Sequence, residues 1–149
     1  MKLEKIVESL QSLFEKEKLN IKYVVLFGSL SRGYLHSLSD IDLGLRVGEK
    51  VNKLEITTKA VLELASKLKI SEDILDVVVF NSSDISKNLV FFYELLAKGI
   101  LIWGDREVYL EDLTRVSLLY SDYKIQLVKT GYFAKYVESL GEKVRAWES

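Results

Sequence analysis

The chain contains no cysteine and no proline, and only one histidine and one methionine among its 149 residues. Without cysteine there is no disulfide, no zinc–thiolate site and no cysteine nucleophile. With His36 alone, a multi-histidine metal centre is excluded and no Cys/His pair exists. Any bound metal must be held mainly by carboxylates, which favours a hard cation such as magnesium. An excess of one charge is also missing. Lys and Arg number 21 against 22 Asp and Glu, so the net charge is −1 and no bulk basic surface serves nucleic acid. The apolar runs, such as Val77-Val78-Val79-Phe80, fall far short of the ~20 residues that span a bilayer. Residues 1–10 interleave Lys and Glu with apolar residues, so they read as an amphipathic helix and not as a secretion signal. A cytoplasmic location without membrane association is the expectation.

What is present is ordinary for a folded domain: 48% hydrophobic and 29% charged residues. The length suits one domain around one core, and no linker, repeat or low-complexity tract interrupts it. Leu3, Ile6, Val7, Leu10, Leu13 and Phe14 recur at helical spacing, predicting a helix over roughly the first 18 residues. Residues 22–27 (KYVVLF) read as a strand running into Gly28-Ser29, and residues 40–47 (DIDLGLRV) as a second strand after a loop. Helical spacing returns over 52–69, and residues 74–80 (ILDVVVF) form a third strand. Ser83 looks like the N-cap of one helix reaching Lys98, closed by Gly99. A short strand at 100–103 and a long helix over 106–140, with a possible break near Gly131, complete the chain. The expected class is α+β (mixed α/β), a small sheet flanked by helices with a long C-terminal helix. Two consecutive early strands argue against a plain doubly wound parallel sheet.

The chemistry concentrates in Gly28-Ser29, ten residues, then Asp40-Ile41-Asp42. A glycine at a strand end lets the backbone approach a phosphate, because no Cβ intervenes. Ser29 adds a hydroxyl, and the turn after it can aim N–H groups at phosphate oxygens. Asp40 and Asp42, two apart on a strand, project from one face, while Ile41 and Leu43 point into the core. Two adjacent carboxylates repel each other, and a divalent cation removes that repulsion. With a triphosphate completing the coordination shell, the pair becomes the base of a nucleotidyl-transfer site. Asp76 sits inside an apolar strand, where an unpartnered carboxylate is costly to bury. On a neighbouring strand it would be a third metal ligand, or the base that activates an attacking hydroxyl. Arg32 could neutralise phosphate charge.

Gly28-Ser29-Leu30-Ser31-Arg32-Gly33, followed by Ser39-Asp40-Ile41-Asp42-Leu43, resembles the signature of the minimal nucleotidyltransferases of the DNA polymerase β-like superfamily. Asp76 matches the setting of that family's third aspartate, and residues 96–104 (LAKGILIWG) resemble the end of its domain. The resemblance covers roughly residues 1–105, with 106–149 a helical extension of the same domain. It implies that Gly28, Ser29 and Arg32 bind phosphates and that Asp40 and Asp42 hold Mg2+, with Asp76 as ligand or base. It also implies that ATP is the substrate. The position after the serine, often basic in relatives, is Leu30 here.

Small proteins that look like this one, the MntA-like antitoxins, are typically encoded beside a helical HEPN toxin, and some adenylylate a tyrosine of that toxin. The resemblance therefore implies AMP transfer from ATP to a hydroxyl acceptor on a HEPN-type partner. Two other readings stand beside it: a catalytically silent antitoxin that acts by complex formation, and a small-molecule adenylyltransferase of the aminoglycoside type. The aromatics Tyr109, Tyr120, Tyr123, Tyr132, Phe133, Tyr136 and Trp147 crowd the C-terminal part. They either pack the long helix onto the sheet or form a partner surface, and the long amphipathic C-terminal helix suits a homo-oligomer or a hetero-complex.

Overall fold

The computed structural model describes residues 3–28 and 40–148, except for the side chains of 132–134, 136–137 and 140–148. The element order is α1 (Leu3–Lys16), β1 (Ile21–Phe27), β2 (Ile41–Val47), α2 (Lys53–Leu68), β3 (Leu75–Phe80), α3 (Ser82–Lys87), α4 (Leu89–Lys98), β4 (Ile100–Gly104) and α5 (Arg106–Glu148). The strands form one sheet in the order β3-β2-β1-β4. β1 runs antiparallel to both β2 and β4, whereas β2 and β3 are parallel and joined through α2. The result is the mixed α+β class expected, and the antiparallel β1–β2 pair is what removes a doubly wound topology.

Each face of the sheet carries its own core. Ile6, Leu10, Leu13 and Phe14 of α1 and Ile56, Ala60 and Leu64 of α2 are buried against Val24, Leu26, Ile41, Leu43, Leu45 and Val47. Their spacing of three and four residues puts each set on one helical stripe. On the other face Tyr23, Val25 and Phe80 pack against Ile85, Phe92, Leu95, Leu96 and Val116 from α3, α4 and α5. Among the described residues no helix is long and apolar enough to cross a membrane.

Two expectations about the helices change. The single helix from Ser83 to Lys98 is two helices, and its cap is Asn81. The Asn81 side chain accepts from the Asp84 N–H at 3.1 Å, and the Asp84 carboxylate accepts from the Asn81 N–H at 2.9 Å. This reciprocal pair starts the helix two residues earlier. Asn88 then leaves helical geometry (φ −145°, ψ 71°) and separates α3 from α4. Nor does α5 break at Gly131 or stop near 140; it is continuous over 43 residues. A lone glycine costs a helix only about 1 kcal/mol relative to alanine. Nothing lies within 4 Å of where a Gly131 Cβ would be, so no neighbour forces a kink.

The start of α5 is tied firmly to the sheet. Asp112, 5% exposed, accepts from the Tyr23 hydroxyl at 2.6 Å and from Arg46 Nε at 2.7 Å. Arg115 donates to the Ser82 carbonyl (2.9 Å) and hydroxyl (2.8 Å), and the Tyr109 hydroxyl donates to the Leu96 carbonyl at 2.7 Å. Tyr120 stacks on Tyr93 with centroids 4.0 Å apart. Tyr109 and Tyr120 are thus packing residues, whereas Tyr123 is 39% exposed. The side chains of Tyr132, Phe133, Tyr136 and Trp147 lie outside the described residues.

Candidate active site

The ladders of β1, β2 and β3 line up three sequence-predicted residues at one end of the sheet. Phe27, the last residue of β1, is opposite Asp42, and Asp42 is opposite Asp76 on β3. Gly28 follows Phe27 with φ +78°, a conformation that side chains rarely adopt. A Cβ placed on Gly28 would overlap the Asp42 carboxylate. The glycine therefore does more than open a turn: its missing side chain is the space that the second aspartate occupies.

Asp42 is half-buried, and it shares a strand face with Gly44, over which Leu95 and Phe80 close. Phe27, packed edge-on to Phe91 at 6.1 Å, walls the same region. Ile41 and Leu43 lie in the opposite core, as the alternation requires. Burial, then the neighbouring charge of Asp76, then that of Asp40 hold the Asp42 carboxyl above the usual carboxylate range. The carboxylate face therefore favours positive charge. Asp42 gains most from a cation there, because it bears the desolvation and both repulsions.

Two details differ from expectation. Asp40 is not on the strand: β2 begins at Ile41, and Asp40 is an exposed residue just before it, near enough to repel Asp42. Asp76 is exposed, not buried, because it is the second residue of β3 and stands at the open end of the sheet. Its presence in an apolar run thus reflects an accessible carboxylate and not a buried one requiring a partner. Ser29, Leu30, Arg32, Gly33 and His36 lie outside the described residues.

The donor types suit a hard divalent ion: oxygen ligands only, of one charge, at one end of the sheet. Among the described residues no three His, Cys, Asp or Glu side chains are gathered into a cage able to hold a metal alone. Carboxylates that form no complete cage by themselves fit a cation whose remaining ligands come from a polyphosphate.

Sequence reasoning missed the Tyr23–Asp112–Arg46 network, which lies toward the other end of β1 and β2, where Tyr23 is opposite Arg46. Burial first, then the hydrogen bond to Asp112, push the Tyr23 hydroxyl well above the ordinary tyrosine value. The available signal was Arg46 in the otherwise apolar segment 43–47 (LGLRV).

The family described as Polymerase beta, Nucleotidyltransferase matches residues 8–107. No curated protein matches the sequence. Among solved structures, a toxin–antitoxin complex with AMP-PNP superposes with a TM-score of 0.62 at 21% identity, over 85% of this chain and 92% of that one. A complex of tri-AMPylated Shewanella oneidensis HEPN toxin with MNT antitoxin gives 0.61 at 17% identity, with the same coverage of 85% and 92%. The toxin–antitoxin MntA-HepT gives 0.57 at 17%, again covering 85% and 92%. At these identities the likeness is one of fold.

Proposed function

The chain belongs to the polymerase beta nucleotidyltransferase family, and from that premise we propose that it transfers AMP from ATP, with Mg2+, to a tyrosine hydroxyl of a HEPN-type toxin. In this reading the chain is the antitoxin of a pair. The observation that carries it is the row formed by Gly28, Asp42 and Asp76, with Asp40 beside Asp42. Three carboxylates at an open strand end disfavour the ligand-free protein and favour one that has bound a cation. The neighbouring folds support the nucleotide and the acceptor, since one was crystallised with AMP-PNP and another holds a tri-AMPylated toxin.

Asp40 and Asp42, with Asp76, would hold the ion. Gly28, Ser29 and Arg32 would contact the phosphates. When bound, the metal supplies positive charge that stabilises both changing oxygens of an in-line displacement at the α-phosphorus. The acceptor oxygen forms a bond to that phosphorus, the bond to pyrophosphate breaks, and the hydroxyl proton leaves to a base. Asp76, an exposed carboxylate, would be that base or a third ligand.

A second reading is a silent module that neutralises its partner by covering it. Intact-mass measurement of a HEPN-type partner incubated with ATP, Mg2+ and the wild type or Asp42→Asn separates the two. A gain of AMP units seen only with the wild type supports transfer. Neutralisation by both proteins with no mass gain supports the module. ATP at about 100 times its Kd should stabilise the wild-type fold by roughly 2.7 kcal/mol. That stabilisation should require Mg2+ and vanish in the variant.

A further inference from the structure

α5 packs on the body only along its first turns. Val116 is buried, Tyr120 stacks on Tyr93, and every residue from Ser121 to Gly131 is exposed. A helix gains most of its stability from packing an apolar stripe, so a long unpacked stretch is marginal by itself. On the side away from the sheet, Glu111, Thr114, Leu118, Asp122, Ile125 and Lys129 follow at spacings of three and four, which puts them on one face. All six are exposed, with Leu118 at 65% and Ile125 at 52%. A shallow recess of about 490 Å³, lined by Glu111, Thr114, Arg115, Leu118 and Leu119, opens on the same face.

The charges on this stripe have an order. Asp122 and Lys129 are seven residues apart, two turns along the helix, and neither forms an ion pair among the described residues. A parallel, in-register copy would set Asp122 on Asp122 and Lys129 on Lys129. An antiparallel copy centred between Ile125 and Gln126 sets each Asp122 on Lys129 of the second copy, twice by symmetry. It also places Ile125 at the centre of the contact. A twofold axis perpendicular to the helices produces this antiparallel arrangement.

We propose that the outer face of α5 is the dimerisation surface of the chain, pairing antiparallel with the same face of a second copy through reciprocal Asp122–Lys129 contacts. The proposal does not depend on the transferase reading.

The test is the mass of the full chain in solution, by light scattering or sedimentation, for wild type, Asp122→Lys, Lys129→Asp and an equimolar mixture of the two variants. The wild type should be a dimer. Each variant alone sets like charges together, and its dissociation constant should rise roughly tenfold or more. The mixture restores opposite charge at both contacts and should regain the dimer. At a dilution where all three proteins are monomeric, their circular dichroism and melting temperature should match. A monomeric wild type overturns the proposal, as does a variant that dimerises as tightly as wild type or a mixture that stays monomeric. A wild type that is monomeric until a HEPN-type protein is added would assign the face to that partner instead.

Discussion

The side chain missing at Gly28 and the carboxylate of Asp42 occupy one space, so the two residues answer to a single constraint. Gly28→Ala should lose stability twice. A non-glycine residue at φ +78° costs about 1–2 kcal/mol, and the new methyl must displace Asp42. A total loss of about 2 kcal/mol is expected by denaturant unfolding, together with loss of ATP-dependent stabilisation. Asp42→Asn should do the opposite to the ligand-free protein. It removes a charge held unfavourably by burial, Asp76 and Asp40, so the melting temperature rises while nucleotide stabilisation disappears. Asp40→Asn should raise it less, because Asp40 is exposed and is the last of the three causes. The motif spacing marked Asp40 and Asp42 as candidates, and the apolar run around Asp76 marked the third. The tie between Gly28 and Asp42 was not legible, since a cross-strand clash is a tertiary fact with no local pattern.

Among the elements, strands and the amphipathic helices α1 and α2 were readable from alternation and from three-and-four spacing. Those patterns describe which face is buried. The α3–α4 break was not readable, because the segment from Ser83 to Lys98 contains neither glycine nor proline. Its start is set by Asn81 and Asp84, and Asp84 also receives Lys53 at 2.6 Å. Burial alone would raise the Asp84 carboxyl, but the hydrogen bonds from Lys53 and the Asn81 N–H, with the charges of Lys53 and Lys87, bring it below its ordinary value. A depressed folded value means that the stabilisation is full above the unfolded carboxyl value of about 3.9 and fades as pH falls through the folded one. Lys53→Met should therefore reduce stability at neutral pH and flatten its loss on acidification. The pair is partly exposed (38% and 23%), so the effect stays within about 1 kcal/mol. Urea midpoints taken from pH 7 down to pH 3 measure it.

For the whole molecule, the decisive contact joins the sheet to α5 at Asp112. Asp112→Ala leaves the Arg46 guanidinium buried without its carboxylate and the Tyr23 hydroxyl without an acceptor. The expected loss is about 3–5 kcal/mol. Tyr23→Phe removes one hydrogen bond to a charged group and should cost about 2 kcal/mol. Equilibrium unfolding of both variants gives the comparison, and a smaller loss for Asp112→Ala than for Tyr23→Phe would contradict the network. Nothing in the sequence marked Asp112 as interior, because an aspartate in a charged, amphipathic helix reads as surface. The family match ends at residue 107, yet this interior residue lies beyond it. That placement has a consequence for how the protein is made. A ribosome delivers Tyr23 and Arg46 early, and their shared acceptor arrives 89 and 66 residues later. Until then one half of the core has a phenol without its acceptor and a guanidinium without its counter-charge, and water must stay to solvate them. The nascent chain can close the α1–α2 side first, and the other side only once the start of the last helix has emerged.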